Sequence, residues 1–335
     1  MSEMGVSRVR ARVNWRKAVK VALTVLVLAA VLLRFPAAEA FAALQRLDPL
    51  WVAIGTACMV LDRVVFVTRW HLLLAPIGVR QSLLYSLGVA MVGYFYGMIA
   101  ISTLGLDAAR VILPAQRHRV RKADLAACVF VDRLAGIVAI STMGLVPLIA
   151  GQRGAIRASL LTVTAMGAAG LLFFAWLATL QSPVSGTRGA LPARWLDKAR
   201  ESAVRAAGQV ILYRKHPMLL VAAVCISWAG ILVGGVGMWA WCRALGADVT
   251  VSDGVSTNII MTVFSAIPTT IGGLGVVEGG FIVILGWAGV SQADALAFAL
   301  GRRVVGTAVN LLGGAVQFIG GTTRDRRTGA NDTTG

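Results

Sequence analysis

The stretch PTTIGGLGVVEGGF, residues 268–281, interrupts a long apolar segment with a proline, five glycines and one carboxylate. Proline removes a backbone donor and breaks a helix, and glycine allows positive φ and close backbone contact. Non-helical backbone at membrane depth survives only where protein or a water-filled cavity satisfies its polar groups. The stretch therefore predicts a broken helix that holds Glu278 inside the protein. The backbone positions that form the break are Pro268, Gly272, Gly273 and Gly275.

Composition places this break in a membrane protein. The chain of 335 residues is 57% apolar and 14% charged, and its mean hydropathy of +0.77 is above that of a soluble domain. Most of its long apolar segments approach the roughly 20 residues that a spanning helix needs. We therefore predict an all-α polytopic membrane protein. The segments are 21–38, 49–68, 82–104, 123–150, 158–180, 217–245, 255–290 and 293–320.

The distribution of basic residues predicts the topology, because Lys and Arg concentrate in the cytoplasmic loops of membrane proteins. They cluster in the N-terminus, in 110–122, in 188–215 and in the tail, and we place all four clusters in the cytoplasm. The segment 82–104 then begins and ends on one side, so it has to enter the membrane and return. With 255–290 also re-entrant, about six spans remain. The four clusters together with Arg69 and Arg80 place 23 Lys and Arg inside against 5 outside, and the other four lie within apolar segments.

An internal repeat relates the two broken segments. ADLAACVFVDRLAG (123–136) and ADALAFALGRRVVG (293–306) share five of fourteen positions at an offset of 170 residues. Each follows a glycine-containing turn with an acid, Gly105 with Asp107 in the first half and Glu278 in the second. Because the predicted topology brings the two segments in from opposite sides, they would form an inverted repeat, as in transporters whose half-helices meet near the midplane.

The same segments define the predicted domains. The linker between the halves is basic, and its part 192–216 carries apolar residues at helical spacing, which predicts a helix on an anionic leaflet or a soluble connector. The first apolar segment resembles a secretory signal, but we expect an uncleaved helix because a polytopic chain follows. The predicted units are a basic cytoplasmic N-terminus (1–20), one transmembrane domain (21–320) with halves 49–180 and 217–320 joined by the linker 181–216, and a disordered cytoplasmic tail (321–335).

Charged residues inside apolar segments form the candidate site. An unpaired charge there costs about 2.5 to 3.5 kcal/mol on insertion scales, so these residues should pair or face a cavity. We expect Glu278 to pair with Arg303 or Arg133 and to leave another arginine for a lipid phosphate, which guanidinium binds in a planar, two-pronged contact. The alternative is a set of structural ion pairs that hold the hairpins in place. The predicted headgroup and translocation residues are Asp107, Asp132, Arg133, Glu278, Arg302 and Arg303.

Asp62 and Arg63 also lie in an apolar segment but are weaker candidates. Neighbouring residues on a helix point about 100° apart, so the two side chains do not lie on a single face of the helix.

Several stretches carry a resemblance to a known family. They are RWHLLLAPIGV (69–79), STLGLDAARVILPAQR (102–117), VDR (131–133), and IPTTIGGLGVVEGGF (267–281) followed by GRRVVG (301–306). Together they resemble the lysylphosphatidylglycerol synthase transmembrane-region family of flippase-like membrane proteins, over residues 20–320. The first element of that family is usually Gly-Gly-Asp with a nearby Arg. Here Leu106 replaces the second glycine, while Asp107 and Arg110 remain, which adds Arg110 to the predicted site.

The resemblance implies lipid handling, since the best understood members pass an aminoacylated phospholipid from the inner to the outer leaflet. Bifunctional members also carry a soluble C-terminal aminoacyl transferase. Only 15 residues follow residue 320, so we expect no transferase domain here and a different source for the lipid.

Other chemistry finds little support in the sequence. Gly273, Gly275 and Glu278 make half of a dinucleotide fingerprint, but no strand precedes them. The His and Cys residues have no metal-ligand spacing, and no aqueous loop carries an acidic pair for a metal and a sugar nucleotide. We therefore expect no cofactor, no metal, no nucleic-acid partner and no enzymatic activity.

These observations predict a lipid transporter or flippase of the bacterial inner membrane. Its partner would be a membrane phospholipid or a lipid-linked substrate, whose phosphate meets Arg133, Arg302 or Arg303 while Glu278 and Asp107 hold or release those arginines. The alternative is a non-transporting scaffold or regulator that binds enzymes of envelope-lipid or polysaccharide synthesis.

Overall fold

The computed structural model describes residues 37–99, 104–152, 154–179, 213, 216–266 and 274–329. Every regular element in these ranges is helical, which confirms the all-α class. A short 3₁₀ turn, Ala75–Ile77, follows the second helix. The helices are α1 (Ala37–Gln45), α2 (Pro49–Leu73), α3 (Leu83–Ile99), α4 (Leu104–His118), α5 (Lys122–Met143), α6 (Leu145–Ile149), α7 (Gly154–Thr179), α8 (Pro217–Ala244), α9 (Val251–Ala266), α10 (Val276–Trp287) and α11 (Gln292–Gly329).

Four stretches of helix within the described ranges are long and apolar enough to cross a membrane. Each coincides with one of the six predicted spans. Of the other two, the first lies largely outside the described residues, and the last falls in α11, which carries Arg302 and Arg303 and is not among the four. The four stretches are Pro49–Ile77, Lys122–Ile149, Gly154–Phe173 and Pro217–Ala244.

Helices α2 and α8 cross in direct backbone contact, and glycines make this possible. A Cβ on Gly55 would lie 2.5 Å from Cδ1 of Trp241, and a Cβ on Gly237 would lie 2.9 Å from Cβ of Cys58. Any larger side chain at either glycine would push the helices apart. Small residues let helices approach closely in a membrane in this way.

Helices α3 and α4 form a hairpin at the end of α2. They touch so closely that a Cβ on Gly105 would lie 2.5 Å from the backbone nitrogen of Gly97. The hairpin starts shortly after α2 and leads directly into α5. The thiol of Cys128, in α5, donates to the carbonyl of Leu73 at 3.3 Å, which places the start of α5 beside the end of α2. Both ends of the α3–α4 hairpin therefore lie at one end of the bundle.

Helices α9 and α10 form a second hairpin at the opposite end. The backbone N–H of Asp48, which caps α2, donates to the carbonyl of Ala244 at 3.0 Å, so α8 ends where α2 begins. Phe298, near the start of α11, packs edge-on against Trp241 near the end of α8, with 6.4 Å between ring centres. The α9–α10 hairpin thus leaves and rejoins the bundle at this end. Each hairpin has its own apolar core, one around Trp70 and the other around Phe298.

The close contact between α3 and α4 should make Gly105 intolerant of larger side chains. We expect Gly105→Val to lower the midpoint of thermal unfolding in detergent, because overpacking a tight contact costs about 1 to 3 kcal/mol. Gly88→Ala, also in the first hairpin, is the matched control, since a Cβ there meets nothing within 4 Å. An unchanged midpoint for Gly105→Val would contradict the backbone contact.

The last helix extends past residue 320, where the sequence predicted the transmembrane domain to end. Helix α11 ends at Gly329, and residues 321–329 contain no proline that would interrupt it. The N-terminus 1–20 and most of the linker 181–216 lie outside the described residues, as do the predicted break positions Pro268, Gly272 and Gly273.

Candidate functional site

A cavity of about 500 Å³ is lined by residues of both hairpins. The first hairpin contributes Gly97 and Leu106, and the second contributes Phe264 and Val276. Helices α2 and α11 complete the wall. The volume is within the range of roughly 300 to 1,000 Å³ that is typical of small-ligand sites.

Glu278 is buried in this wall, with 2% of its surface exposed, and both of its carboxylate oxygens have partners. Nε of Arg303 donates to Oε1 at 2.6 Å, which confirms one of the two predicted pairings. The N–H of Gly275 donates to Oε2 at 2.7 Å. Gly275 has φ of +81°, which glycine adopts without strain, so the chain can turn into α10 and place Glu278 as its capping acid.

Arg302 and Asp62 line the same cavity, and neither makes a hydrogen bond or an ion pair with any other residue that the structure describes. The guanidinium of Arg302 stacks over the ring of Phe281 at 5.3 Å from its centre. Asp62 lies against α8, where a Cβ on Gly230 would be 3.3 Å from Oδ1. Their opposite charges attract each other across the cavity without direct contact.

Arg63 also faces the cavity. Its Nη1 donates to Oδ1 of Asn310 at 2.5 Å, and its guanidinium lies 4.8 Å from the ring centre of Tyr94. The sequence ranked Asp62 and Arg63 below the other charged residues, but both line the cavity. The cavity wraps around this part of α2, so adjacent side chains reach it from two directions, Asp62 beside α8 and Arg63 between α3 and α11. The cost of charges in an apolar segment was the signal that marked both residues.

Asp107 and Arg133 form a second ion pair outside this cavity. Nη2 of Arg133 donates to Oδ2 of Asp107 at 2.7 Å, and their side chains are 37% and 26% exposed. Asp107 lies in the first turn of α4, as Glu278 does in α10, and Arg133 lies 170 residues before Arg303. Each hairpin is thus tied to the helix that follows it by one acid–arginine pair.

Asp132 lies in a closed ionic cluster rather than in the cavity. Its two oxygens accept from Nε and Nη2 of Arg69 at 2.7 and 2.9 Å, and Oδ2 also accepts from Nη1 of Arg110 at 3.2 Å. Nη1 of Arg69 donates to Oγ of Ser227, and both guanidinium groups stack over Phe66. All three charged side chains are buried. For Asp132 and Arg110 this arrangement fits the structural ion-pair alternative.

The seven predicted residues thus separate into three groups. Glu278, Arg302 and Arg303 share the cavity with Asp62 and Arg63. The Asp107–Arg133 pair is half-exposed, and the remaining two belong to the closed cluster with Arg69. Within the described ranges, no group of three or more His, Cys, Asp or Glu side chains could hold a metal ion.

Comparison with known proteins agrees with the motifs. The family model described as "Lysylphosphatidylglycerol synthase TM region" matches residues 17–314. No curated protein sequence matches the chain. The match covers both hairpins, the cavity and both ion pairs, so the chain belongs to the lysylphosphatidylglycerol synthase transmembrane-region family.

Proposed function

We propose that the protein is a transporter that moves a phospholipid or a lipid-linked intermediate between the leaflets of the bacterial inner membrane, with both termini in the cytoplasm. The observation that carries this proposal is the cavity lined by both hairpins, where Arg302 has no ion-pair partner among the described residues. A guanidinium group recognises phosphate through two parallel hydrogen bonds. Membership of a membrane-integral family supports a lipid-related role.

Helix lengths support a position of the cavity near the middle of the membrane. Arg302 is ten residues after the start of α11, which corresponds to about 15 Å along the helix. That is half of a hydrocarbon core about 30 Å thick. The 16 residues of α9 and the 12 of α10 extend about 24 and 18 Å. Both are shorter than the core, as expected of a re-entrant hairpin.

The two ion pairs support an inverted repeat of two re-entrant hairpins among about six spans. Asp107 with Arg133 and Glu278 with Arg303 occupy matching places in the two halves, and the hairpins start from opposite ends of the bundle. Interrupted helices that meet from opposite sides are a recurrent basis for alternating access. Each pair would then control access from one leaflet.

In the proposed cycle, a headgroup phosphate binds Arg302 and competes with Glu278 for Arg303. Loss of the Glu278–Arg303 contact frees the second hairpin to shift, while Asp107 and Arg133 keep the first hairpin closed. The opposite exchange opens the other side. The lipid shifts this equilibrium only as far as it binds one state better than the other. The cycle breaks no covalent bond, so we propose a non-enzymatic protein that works passively or with an ion or proton gradient.

Loss of Arg302 tests this proposal. We expect Arg302→Gln to reduce movement of fluorescent phosphatidylglycerol between the leaflets of proteoliposomes about tenfold or more, because a charge-assisted hydrogen bond is lost. A membrane-impermeant quencher reads the exposed leaflet. Arg121→Gln is the control, since the Arg121 side chain is 81% exposed at the start of α5. Equal rates for Arg302→Gln and wild type would refute the role of Arg302, and no movement of any tested lipid by the wild type would favour the scaffold.

A further inference from the structure

The charges in the cavity add up to a defined sum. Three arginines and two carboxylates line it among the described residues, which is a net charge of +1. Arg303 and Glu278 cancel each other at 2.6 Å. The net charge of +1 therefore comes from Arg63, Arg302 and Asp62. None of these three forms an ion pair with another described residue.

A net charge inside a membrane protein determines which occupant is favoured. An uncompensated charge is costly in a medium of low polarity, so the best occupant neutralises the site. A headgroup with one negative charge leaves the complex neutral. A headgroup with two negative charges leaves −1, and a zwitterionic headgroup leaves +1.

Asp62 is the residue that holds this sum at +1. Its carboxylate can only accept hydrogen bonds, so it offers nothing to a phosphate oxygen and repels any further negative charge. It also attracts Arg302 across the cavity, so an incoming phosphate competes with Asp62 for this arginine. Without Asp62, the same arginines would favour a more highly charged headgroup.

We infer that Asp62 determines the headgroup class, and that the cavity takes a lipid phosphodiester with a single negative charge in preference to a phosphomonoester or diphosphate. This inference rests on the proposed function, because it names the substrate class of the same site. It concerns equilibrium binding, so it can be tested without any lipid movement.

The sharpest test uses two lipids that differ by one methyl group. Dioctanoyl phosphatidylmethanol is a diester with one negative charge. Dioctanoyl phosphatidic acid approaches two at pH 8, since the second pKa of a phosphomonoester is about 6. Binding of each to the full chain in neutral detergent is measured by titration calorimetry. Dimethyl phosphate, which has the diester without acyl chains, separates a lipid site from a site for free phosphate esters.

We expect the wild type to bind phosphatidylmethanol about tenfold more tightly than phosphatidic acid, a difference of about 1.4 kcal/mol. Asp62→Asn raises the net charge to +2 and should shift the preference to phosphatidic acid. The double variant Asp62→Asn/Arg63→Gln returns the charge to +1 and should restore the preference for the diester. Dimethyl phosphate should bind at least tenfold more weakly than phosphatidylmethanol.

Several results would overturn the inference. They are no preference or no binding in the wild type, an unchanged preference in Asp62→Asn, a double variant that behaves like Asp62→Asn, and dimethyl phosphate that binds as tightly as the lipid. If Asp62→Asn does not fold, Arg63→Gln alone tests the same sum, because at a net charge of zero the neutral complex forms with a zwitterionic diester. Dioctanoyl phosphatidylcholine should then bind more tightly than phosphatidylmethanol, the reverse of the wild-type order.

The test also separates this inference from the proposed function. A protein that shows the predicted preference but moves no lipid would refute transport and keep the charge rule. A protein that moves lipids but binds both with equal affinity would refute the charge rule and keep transport.

Discussion

An Asp132→Asn variant should lose most of its folded protein, because it leaves two buried arginines without a counter-charge. Asp132 is fully buried and accepts three hydrogen bonds from Arg69 and Arg110. Removing one partner of a buried ion pair costs about 3 to 5 kcal/mol. That is a large part of the roughly 5 to 15 kcal/mol that keeps a typical protein folded. The yield of monodisperse protein and its unfolding midpoint in detergent measure the effect.

Two further variants identify the cause of this loss. Asp124→Asn removes the carboxylate of the exposed Arg121–Asp124 pair and should leave the midpoint unchanged, because surface pairs contribute little. The double variant Asp132→Asn/Arg110→Gln removes one of the two uncompensated charges and should recover part of the midpoint. Wild-type stability of Asp132→Asn would show that the cluster does not hold the first hairpin against α2 and α8.

A Glu278→Gln variant should fold but move lipid at least about tenfold more slowly than the wild type. The amide oxygen of Gln can still accept from the Gly275 N–H, so the start of α10 keeps its cap. The contact with Arg303 loses its charge, and hydrogen bonds to charged groups are worth about 1.5 to 3 kcal/mol. Arg303 would then no longer be held and released in turn. Leaflet-resolved movement in proteoliposomes measures the rate.

Asp107→Asn is the matched variant for the first hairpin. Its ion pair with Arg133 has the same place in the fold but is half-exposed, so the change should cost less stability. Slower lipid movement in both variants, with folded protein in both, would support one access-controlling pair in each hairpin. If Glu278→Gln instead unfolds while its folded fraction moves lipid at the wild-type rate, the pair is only structural.

The pairing of Glu278 could be predicted from the sequence because an unpaired charge in an apolar segment has a high free-energy cost. A carboxylate in an apolar segment has to meet a cation, and Arg303 lies in the next apolar segment. The glycines around Glu278 indicated a break in the helix for a similar reason, since exposed backbone is not tolerated in lipid. Gly275, with its positive φ, is the break position that lies within the described residues.

The closed cluster around Asp132 could not be predicted in this way. Arg69 and Arg110 lie near the ends of apolar segments and read as cytoplasmic loop charges, yet both are buried. Arg69 and Asp132 are 63 residues apart in the chain, and the positive-inside rule counts charges without information on helix faces. Excluding both arginines leaves 21 basic residues inside against 5 outside, so the predicted orientation does not change.

Asp62 and Arg63 show a limit of predictions that rest on the periodicity of a single helix. The angle between neighbouring residues describes one isolated helix, whereas the cavity is shaped by several helices around α2. Helix periodicity therefore argues against pairing between the two residues, but it does not exclude that both line the same cavity. Arg63 bonds to Asn310 and Asp62 lies beside Gly230, and both neighbours come from helices that are distant in the chain.

The glycine crossing of α2 and α8 limits which parts of the molecule can move relative to each other. Where two helices pack this closely, little free space remains to absorb a displacement, so a small shift creates a clash. We therefore expect α2 and α8 to move together. Asp62 lies in α2, whereas Glu278 lies in the second hairpin. The proposed change of access would therefore alter the distance between α2 and the second hairpin, and a pair of labels in these two elements, placed away from the cavity, would report it.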